Sequence, residues 1–345
     1  MRDEHSLERW NSYSEAHDAV LNVLRELLSG FQARLKGGFN YRFVSQAQAA
    51  PFERAHYHWV KSGGIGAPPA FDVSHFRAAV YNQAAAARQL EAFVHAQCVI
   101  ACELCQAGIR GFEAEEVAVP YSMLRSLVER TAHVAWLADA LKPLAKATLA
   151  SDGSSTPLIE SANTISKALY GTKMDWNKLR DVNLRSASKD EIAYIRTELT
   201  MDVSARNVLS SIDKLNKQAP GIRIAYEILC EFLHPNVGDL YSATRKAHDF
   251  KDAYGTRHLV REISLGPKDI SGAPDLSRIL VKTLEICCDA LRVYPLALTD
   301  LFVTCDAADK LAKKFAHRVR KYNRGCFKKN DLCPCLSGLR IRDCR

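Results

Sequence analysis

The sequence predicts a mainly α-helical protein: a multi-helix bundle with one small β-hairpin excursion and a short cysteine-bearing appendage at its C-terminus. Three observations lead there. Apolar residues recur at spacings of three and four through long windows that Gly and Pro rarely interrupt, the period of an amphipathic helix. Residues 236–272 break that rhythm with Tyr, Thr, Val and Ile set among Asn236, Gly238, Gly255, Gly266 and Pro267, which reads as a hairpin. From Lys310 to Arg345 the composition changes: twelve Lys or Arg face only Asp331 and Asp343, about +10 in a chain whose net charge is +8. The rest of the chain is therefore near neutral, and the basicity belongs to the tail.

With 345 residues, 47% of them apolar and 25% charged, the chain has room for one large or two modest domains with a real core. Ser14 to Lys36 is the first expected helix, with Val20, Leu21, Val23, Leu24, Leu27, Leu28 and Phe31 on one face and Gly37-Gly38 ending it. Residues 39–72 are mixed, and the loop at Gly63-Gly64-Ile65-Gly66 is too irregular to cradle a phosphate. Asp72 or Ser74 then caps a long Ala-rich helix to about Gly108. Near its end Cys98, Cys102 and Cys105 have the spacing of a radical-SAM iron–sulfur motif, but on a helix they lie along one apolar stripe. We read them as packed core.

Tyr121 to Leu141 is expected to be helical and carries Arg125, Glu129, His133 and Trp136 on one stripe amid apolar residues. Such a stripe is either a satisfied internal network or lined cleft, or a solvent-facing edge with an Arg125–Glu129 pair. The polar run 150–156 is a candidate break. Weaker helices follow near 157–170, 189–200 and 203–217. Pro220-Gly221 restarts the chain into a helix from Ile222 to Leu233, with Tyr226, Cys230 and His234 on one stripe and His234-Pro235 at its end. Pro274-Asp275 opens a long apolar helix through about Val303, and Asp306 is the expected cap of a final basic helix. The domain reading is thus a helical body over 1–309, a basic helix over 310–325 and a cysteine-bearing tail over 326–345.

Eleven cysteines, an odd number scattered through apolar helices, suit a reducing compartment better than a disulfide framework. The N-terminus is polar with no apolar stretch behind it, and no run of about 18 uninterrupted apolar residues occurs. The expectation is a cytoplasmic protein without a membrane anchor; homo-oligomerisation is left open.

In the tail, Cys333-Pro334-Cys335 presents two thiolates from a stiff turn, Ser337-Gly338 lets the chain return, and Cys344 brings a third. Zinc takes about four such ligands tetrahedrally, and in so small a segment its binding would supply the folding free energy. With eight residues between Cys335 and Cys344, the stretch from Asn330 resembles the SEC-C motif, the small zinc-binding module at the C-terminus of the SecA translocase and of many unrelated bacterial proteins. That resemblance implies a zinc-ribbon-like appendage held by Cys333, Cys335 and Cys344, which recruits a protein partner or the ribosome. Arg345 stands where the motif has its fourth ligand. Cys326, Asp331, Asp343 or the terminal carboxylate would have to replace it; a decayed motif is the competing reading.

Two functional classes follow. In the first, a helical protein docks RNA, the ribosome or an acidic partner through Lys313, Lys314, Arg318, Arg320, Lys321 and Arg324, with Phe315, Tyr322 and Phe327 as stacking candidates. In the second, the Arg125-x3-Glu129 helix and the Tyr226-to-His234 helix end resemble uncharacterised bacterial helical families, several of them related to the HEPN nucleases of toxin and phage-defence systems. Those ribonucleases use an Arg and a His separated by four to six residues, without metal. Arg88 and His95 fit that spacing and share a helical face; chance pairing in an Ala-rich helix is the alternative. By that resemblance Arg88 or Arg125 would stabilise charge on phosphorus, and His95, His133 or His234 would exchange the 2′-hydroxyl proton.

Overall fold

The computed structural model describes residues 12–38, 73–116, 118–147, 207–234, 240, 243–264, 268–270, 272, 274–322, 328–331, 333 and 340–343, with shorter pieces at 161, 164–165, 167–169, 171, 186, 188–191 and 193. Of 73–85, 147, 315–316 and 318–322 it describes the backbone alone. The order of named elements is α1 (Tyr13–Leu35), α2 (Val73–Glu113), α3 (Ala118–Ala140), α4 (Lys142–Ala147), α5 (Val208–Leu215), α6 (Ile222–Glu231), β1 (Thr244–Lys251), β2 (Arg257–Ile263) and α7 (Pro274–Tyr322). Among the described residues helices dominate and one two-stranded antiparallel sheet interrupts them, as the hydrophobic periodicity and the turn-rich interval predict.

The chain divides into two compact units, and three helices run from one into the other. The first unit gathers α1, residues 96–113 of α2, residues 118–136 of α3, α5, α6, the sheet and residues 274–299 of α7. Helix α1 begins at Ser12, whose hydroxyl accepts from the Glu15 amide at 3.2 Å and satisfies one orphan donor of the first turn. Its expected apolar face is buried apart from half-buried Leu28, with Val20 and Leu24 at 0% exposure. From α3, Leu124, Leu127 and Val128 join the core, and from α7 Leu280, Leu284 and Leu291. Each fully buried aliphatic side chain contributes about 1.5–3 kcal/mol through water exclusion. Phe31 of α1 meets the Tyr294 ring edge-on at 5.2 Å, and the Tyr294 hydroxyl donates to the Gln97 carbonyl at 3.4 Å.

The expected restart before α6 is visible in detail. Gly221 has φ of 92°, a left-handed conformation costly for other residues, and a Cβ there would stand 3.0 Å from Ile286. Asn216 Oδ1 accepts from the Gly221 amide at 3.0 Å, closing the turn. The sheet pairs β1 with β2 from Thr244↔Ile263 to Lys251↔Arg257, with a register shift between Thr244 and Lys246. Asp252 Oδ1 accepts from the Tyr254 and Thr256 amides, each at 2.9 Å, and so shapes the turn. Only the start of β1 is buried: Thr244, Arg245 and Ala247.

The second unit gathers 73–95 of α2, the end of α3, α4 and residues 300–345 with the last part of α7. The sequence places a helix end near Val303 and a new cap at Asp306; instead α7 runs unbroken for 49 residues to Tyr322. Thr304, Cys305, Ala307, Ala308, Leu311 and Ala312 stay buried through that region, so continuous packing outweighs the local capping preference of an exposed Asp306. Pro295 lies inside the helix, where it cannot donate to the fourth carbonyl before it. The interval 150–156 and residues 323–327 lie outside the described residues.

The stretch Ala86–Glu113 of α2 is long and apolar enough to cross a membrane, at a mean hydropathy of 1.4, and 44% of its most apolar window is buried within the protein. Cys98, Cys102 and Cys105 lie on its buried side at 0, 8 and 0% exposure, the core role expected of them.

Candidate functional site

The polar stripe of α3 meets the stripe of α6 within the first unit. Arg125 Nη2 lies 3.2 Å from Glu129 Oε1, an i,i+4 ion pair. Tyr226 of α6 donates its hydroxyl to the same carboxylate oxygen at 2.7 Å, while Arg125 Nη2 donates to the Tyr226 oxygen at 3.5 Å. The guanidinium also stands 5.7 Å from the Tyr226 ring centroid. Burial, then donation to Glu129, pushes the Tyr226 hydroxyl up to about 12. The Arg125 guanidinium is held still more firmly charged, chiefly by its bond to Tyr226. Further along the stripe, the His133 ring tilts against Trp136 at 5.4 Å, and Trp136 is 9% exposed. His234 is exposed just past the end of α6. The sequence-predicted Arg125 and Glu129 are therefore brought together, and their companion is Tyr226.

Arg88 and His95 belong to the second unit. Arg88 binds two carboxylates at once, Glu91 Oε2 through Nη1 at 2.5 Å and Asp309 through Nη2. Asp309 also holds Lys313 at 2.8 Å. His95 directs Nδ1 at the Glu91 carbonyl, 2.8 Å away, and because a carbonyl only accepts, Nδ1 carries the proton. Its ring packs edge-on against Phe302 at 5.7 Å.

Of the tail cysteines, Cys333 is 2% exposed, whereas Cys335 and Cys344 lie outside the described residues. Asp331 Oδ2 accepts from the Lys328 amide at 2.8 Å. The Ile341 amide donates to the Asp331 carbonyl at 2.9 Å and the Arg342 amide to the Lys329 carbonyl at 3.2 Å, so the returning arm runs back along 328–331. Among the described residues, no group of three or more His, Cys, Asp or Glu is arranged to hold a metal ion. On the basic segment Lys310, Lys313, Lys314 and His317 are exposed at helical spacing, opposite buried Ala308, Leu311 and Ala312. The side chains of Arg318, Arg320 and Lys321, and all of Arg324, lie outside the described residues.

Sequence reasoning missed a second polar cluster in the first unit. Asp269 pairs with β1: its amide donates to the Arg245 carbonyl and the Ala247 amide donates to the Asp269 carbonyl at 3.2 Å. That pairing sets Lys268 beside two tyrosine rings, its Nζ 5.5 Å from the Tyr13 centroid and 5.2 Å from that of Tyr121. Nζ donates to the Tyr121 hydroxyl at 3.3 Å, and the Tyr13 and Tyr121 hydroxyls are 3.2 Å apart. Burial, aided by the nearby Arg245 guanidinium, lowers the Lys268 amine to about 7. Arg245 is only 1% exposed and donates through Nη2 to the Glu115 carbonyl at 3.2 Å. A pocket of about 160 Å³ opens here, lined by Tyr13, Ser14, His17, Phe112, Glu115, Glu116 and Lys268. A larger groove of about 510 Å³ lies among α6, β2 and the start of α7, with Ile224, Leu259 and Ile279 exposed in it.

Compared with protein-family models, curated proteins and solved structures, the chain matches none of them.

Proposed function

We propose that this protein is a binding protein whose basic C-terminal segment docks a polyanion, RNA or a ribosomal surface foremost, with an acidic protein as the alternative partner. One observation carries the reading: about +10 of charge is concentrated in the last 36 residues, and Lys310, Lys313 and Lys314 expose one stripe of it. Cations fixed along a helix face release counterions from a phosphate backbone, which gives affinity without base specificity. Zinc would act in this reading as a structural staple on Cys333, Cys335 and Cys344. The burial of Cys333 and the backbone pairing of 329 and 331 with 342 and 341 favour such a fold-back. Zinc would contribute folding free energy there and fix where the basic helix ends.

Charge reversal at Lys313, Lys314, Arg318 and Arg320 tests the reading. Single-stranded RNA affinity of the full chain should fall steeply, and the slope of log affinity against log salt should flatten, by roughly 0.7 for each phosphate that is no longer neutralised. Unchanged affinity and slope would remove the tail from the interface.

A metal-independent ribonuclease in a defence or toxin setting is the second reading. Arg88 would first have to surrender Glu91 and Asp309, since both of its terminal nitrogens are already paired with carboxylates. Arg125 is less committed: Glu129 is its ion-pair partner, and its side chain is 37% exposed.

A further inference from the structure

We propose that the pocket beside Lys268 captures a small uncharged aldehyde or ketone, which the Lys268 amine converts to an imine. The inference stands apart from the basic tail and from its partner. The geometry supplies what carbonyl capture needs. The amine lines a concave site, stands against two aromatic rings and donates to one phenol, whose hydroxyl is 3.2 Å from a second. A lysine amine is an effective nucleophile only when neutral, and desolvation beside a second cation is a recognised means of keeping it so. Here burial and Arg245 supply both, lowering the amine to about 7, so about half of it is neutral at pH 7.

The pocket also selects. A volume of about 160 Å³ has room for about five water-sized groups, enough for a three- or four-carbon carbonyl compound. Glu115 and Glu116 line it, and their carboxylates oppose an anionic guest such as a 2-oxo acid. Of the other charged or titratable groups facing the amine, Arg245 from β1 favours the neutral form. Tyr121 from α3 and Tyr13 from α1 stay protonated, because burial raises both hydroxyls. His17, also from α1, is held by Nε2 at 3.1 Å from the Phe112 carbonyl.

The chemistry balances without a further reagent. The Nζ lone pair attacks the carbonyl carbon, a C–N bond forms, and the π pair moves onto oxygen. One nitrogen proton reaches that alkoxide through the Tyr121 hydroxyl and then the Tyr13 hydroxyl, which lines the pocket, and leaves a carbinolamine. The nitrogen lone pair then forms C=N as the hydroxyl departs, and the second nitrogen proton completes a molecule of water. Nothing is oxidised or reduced.

The test uses the full-length protein, propionaldehyde and cyanoborohydride, with labelled positions read by peptide mass spectrometry after short exposures. At pH 7 Lys268 should be alkylated about tenfold faster than exposed Lys246 and Lys251, and its own rate should level off above pH 7. In guanidinium the three rates should converge. With glyoxylate as the probe the Lys268 advantage should shrink, and Glu116→Gln, which leaves the amine in place, should restore part of it. Labelling of Lys268 no faster than of Lys246 in the folded protein would overturn the proposal, and so would a preference for glyoxylate.

Discussion

Replacing Tyr226 with Phe isolates the bond that ties α6 to the polar stripe of α3. The ring remains 3% exposed and still faces Arg125, so packing is preserved while one hydroxyl is removed. The main bond removed is the 2.7 Å donation to the Glu129 carboxylate, and with it goes the longer 3.5 Å bond that the same oxygen accepts from Arg125. A hydrogen bond to a charged group contributes about 1.5–3 kcal/mol. The Glu129 side chain is 32% exposed and keeps its ion pair with Arg125, so water recovers part of that, and the expected loss is about 1–2 kcal/mol. Urea unfolding followed by circular dichroism should show a lower midpoint with an unchanged slope. In a double-mutant cycle with Glu129→Gln, the coupling should be about 1 kcal/mol. A Tyr226→Phe protein as stable as the parent, or strict additivity in the cycle, would refute the reading of this cluster as a hydrogen-bonded link between α3 and α6.

Three further outcomes are expected. Lys268 is depressed to about 7 in the folded chain against about 10.5 unfolded, so the unfolded state binds more protons between those values and stability rises with pH across that window. The stability advantage of Lys268→Met should therefore be largest below pH 7 and shrink by up to about 1.4 kcal/mol per pH unit toward pH 10.5, as urea midpoints across pH would show. A Cβ at Gly272 would sit 1.8 Å from the Ala247 carbonyl oxygen, so Gly272→Ala must push Gly272, and with it the Asp269 pairing, away from β1. It should cost more than about 3 kcal/mol in thermal unfolding and abolish fast Lys268 labelling. Burial raises the Cys98 and Cys105 thiols to about 11 and 12, so neither should react with a disulfide reagent at pH 8 until the chain unfolds, a difference a timed thiol titration resolves.

The helices were legible because apolar periodicity survives in a single sequence: the buried face of α1 and the stripe of cysteines in α2 follow from spacing alone. The hairpin was legible from its turn residues. The junction at 303–306 was not, since Asp306 has the local chemistry of a cap and only the buried residues around it reveal that α7 continues. The α3 stripe showed itself as Arg125 and Glu129, yet its partner Tyr226 lies 97 residues from Glu129, and no local pattern links them. The Lys268 pocket was illegible for the same reason in a stronger form. Tyr13, Tyr121 and Lys268 come from α1, α3 and the segment after β2, and a lone lysine beside Gly266-Pro267 looks like any turn residue. Burial, not type, gives that amine its character.

Capture of a polyanion by the basic tail is open to one direct experiment. Full-length protein is mixed with end-labelled single-stranded RNA in excess chelator and read in parallel on native and denaturing gels. Intact RNA, retarded on the native gel in low salt and released as salt rises, is the predicted result. RNA that migrates freely at low salt would contradict the binding reading, and RNA cut in a manner abolished by His95→Ala or His234→Ala would replace it with the nuclease.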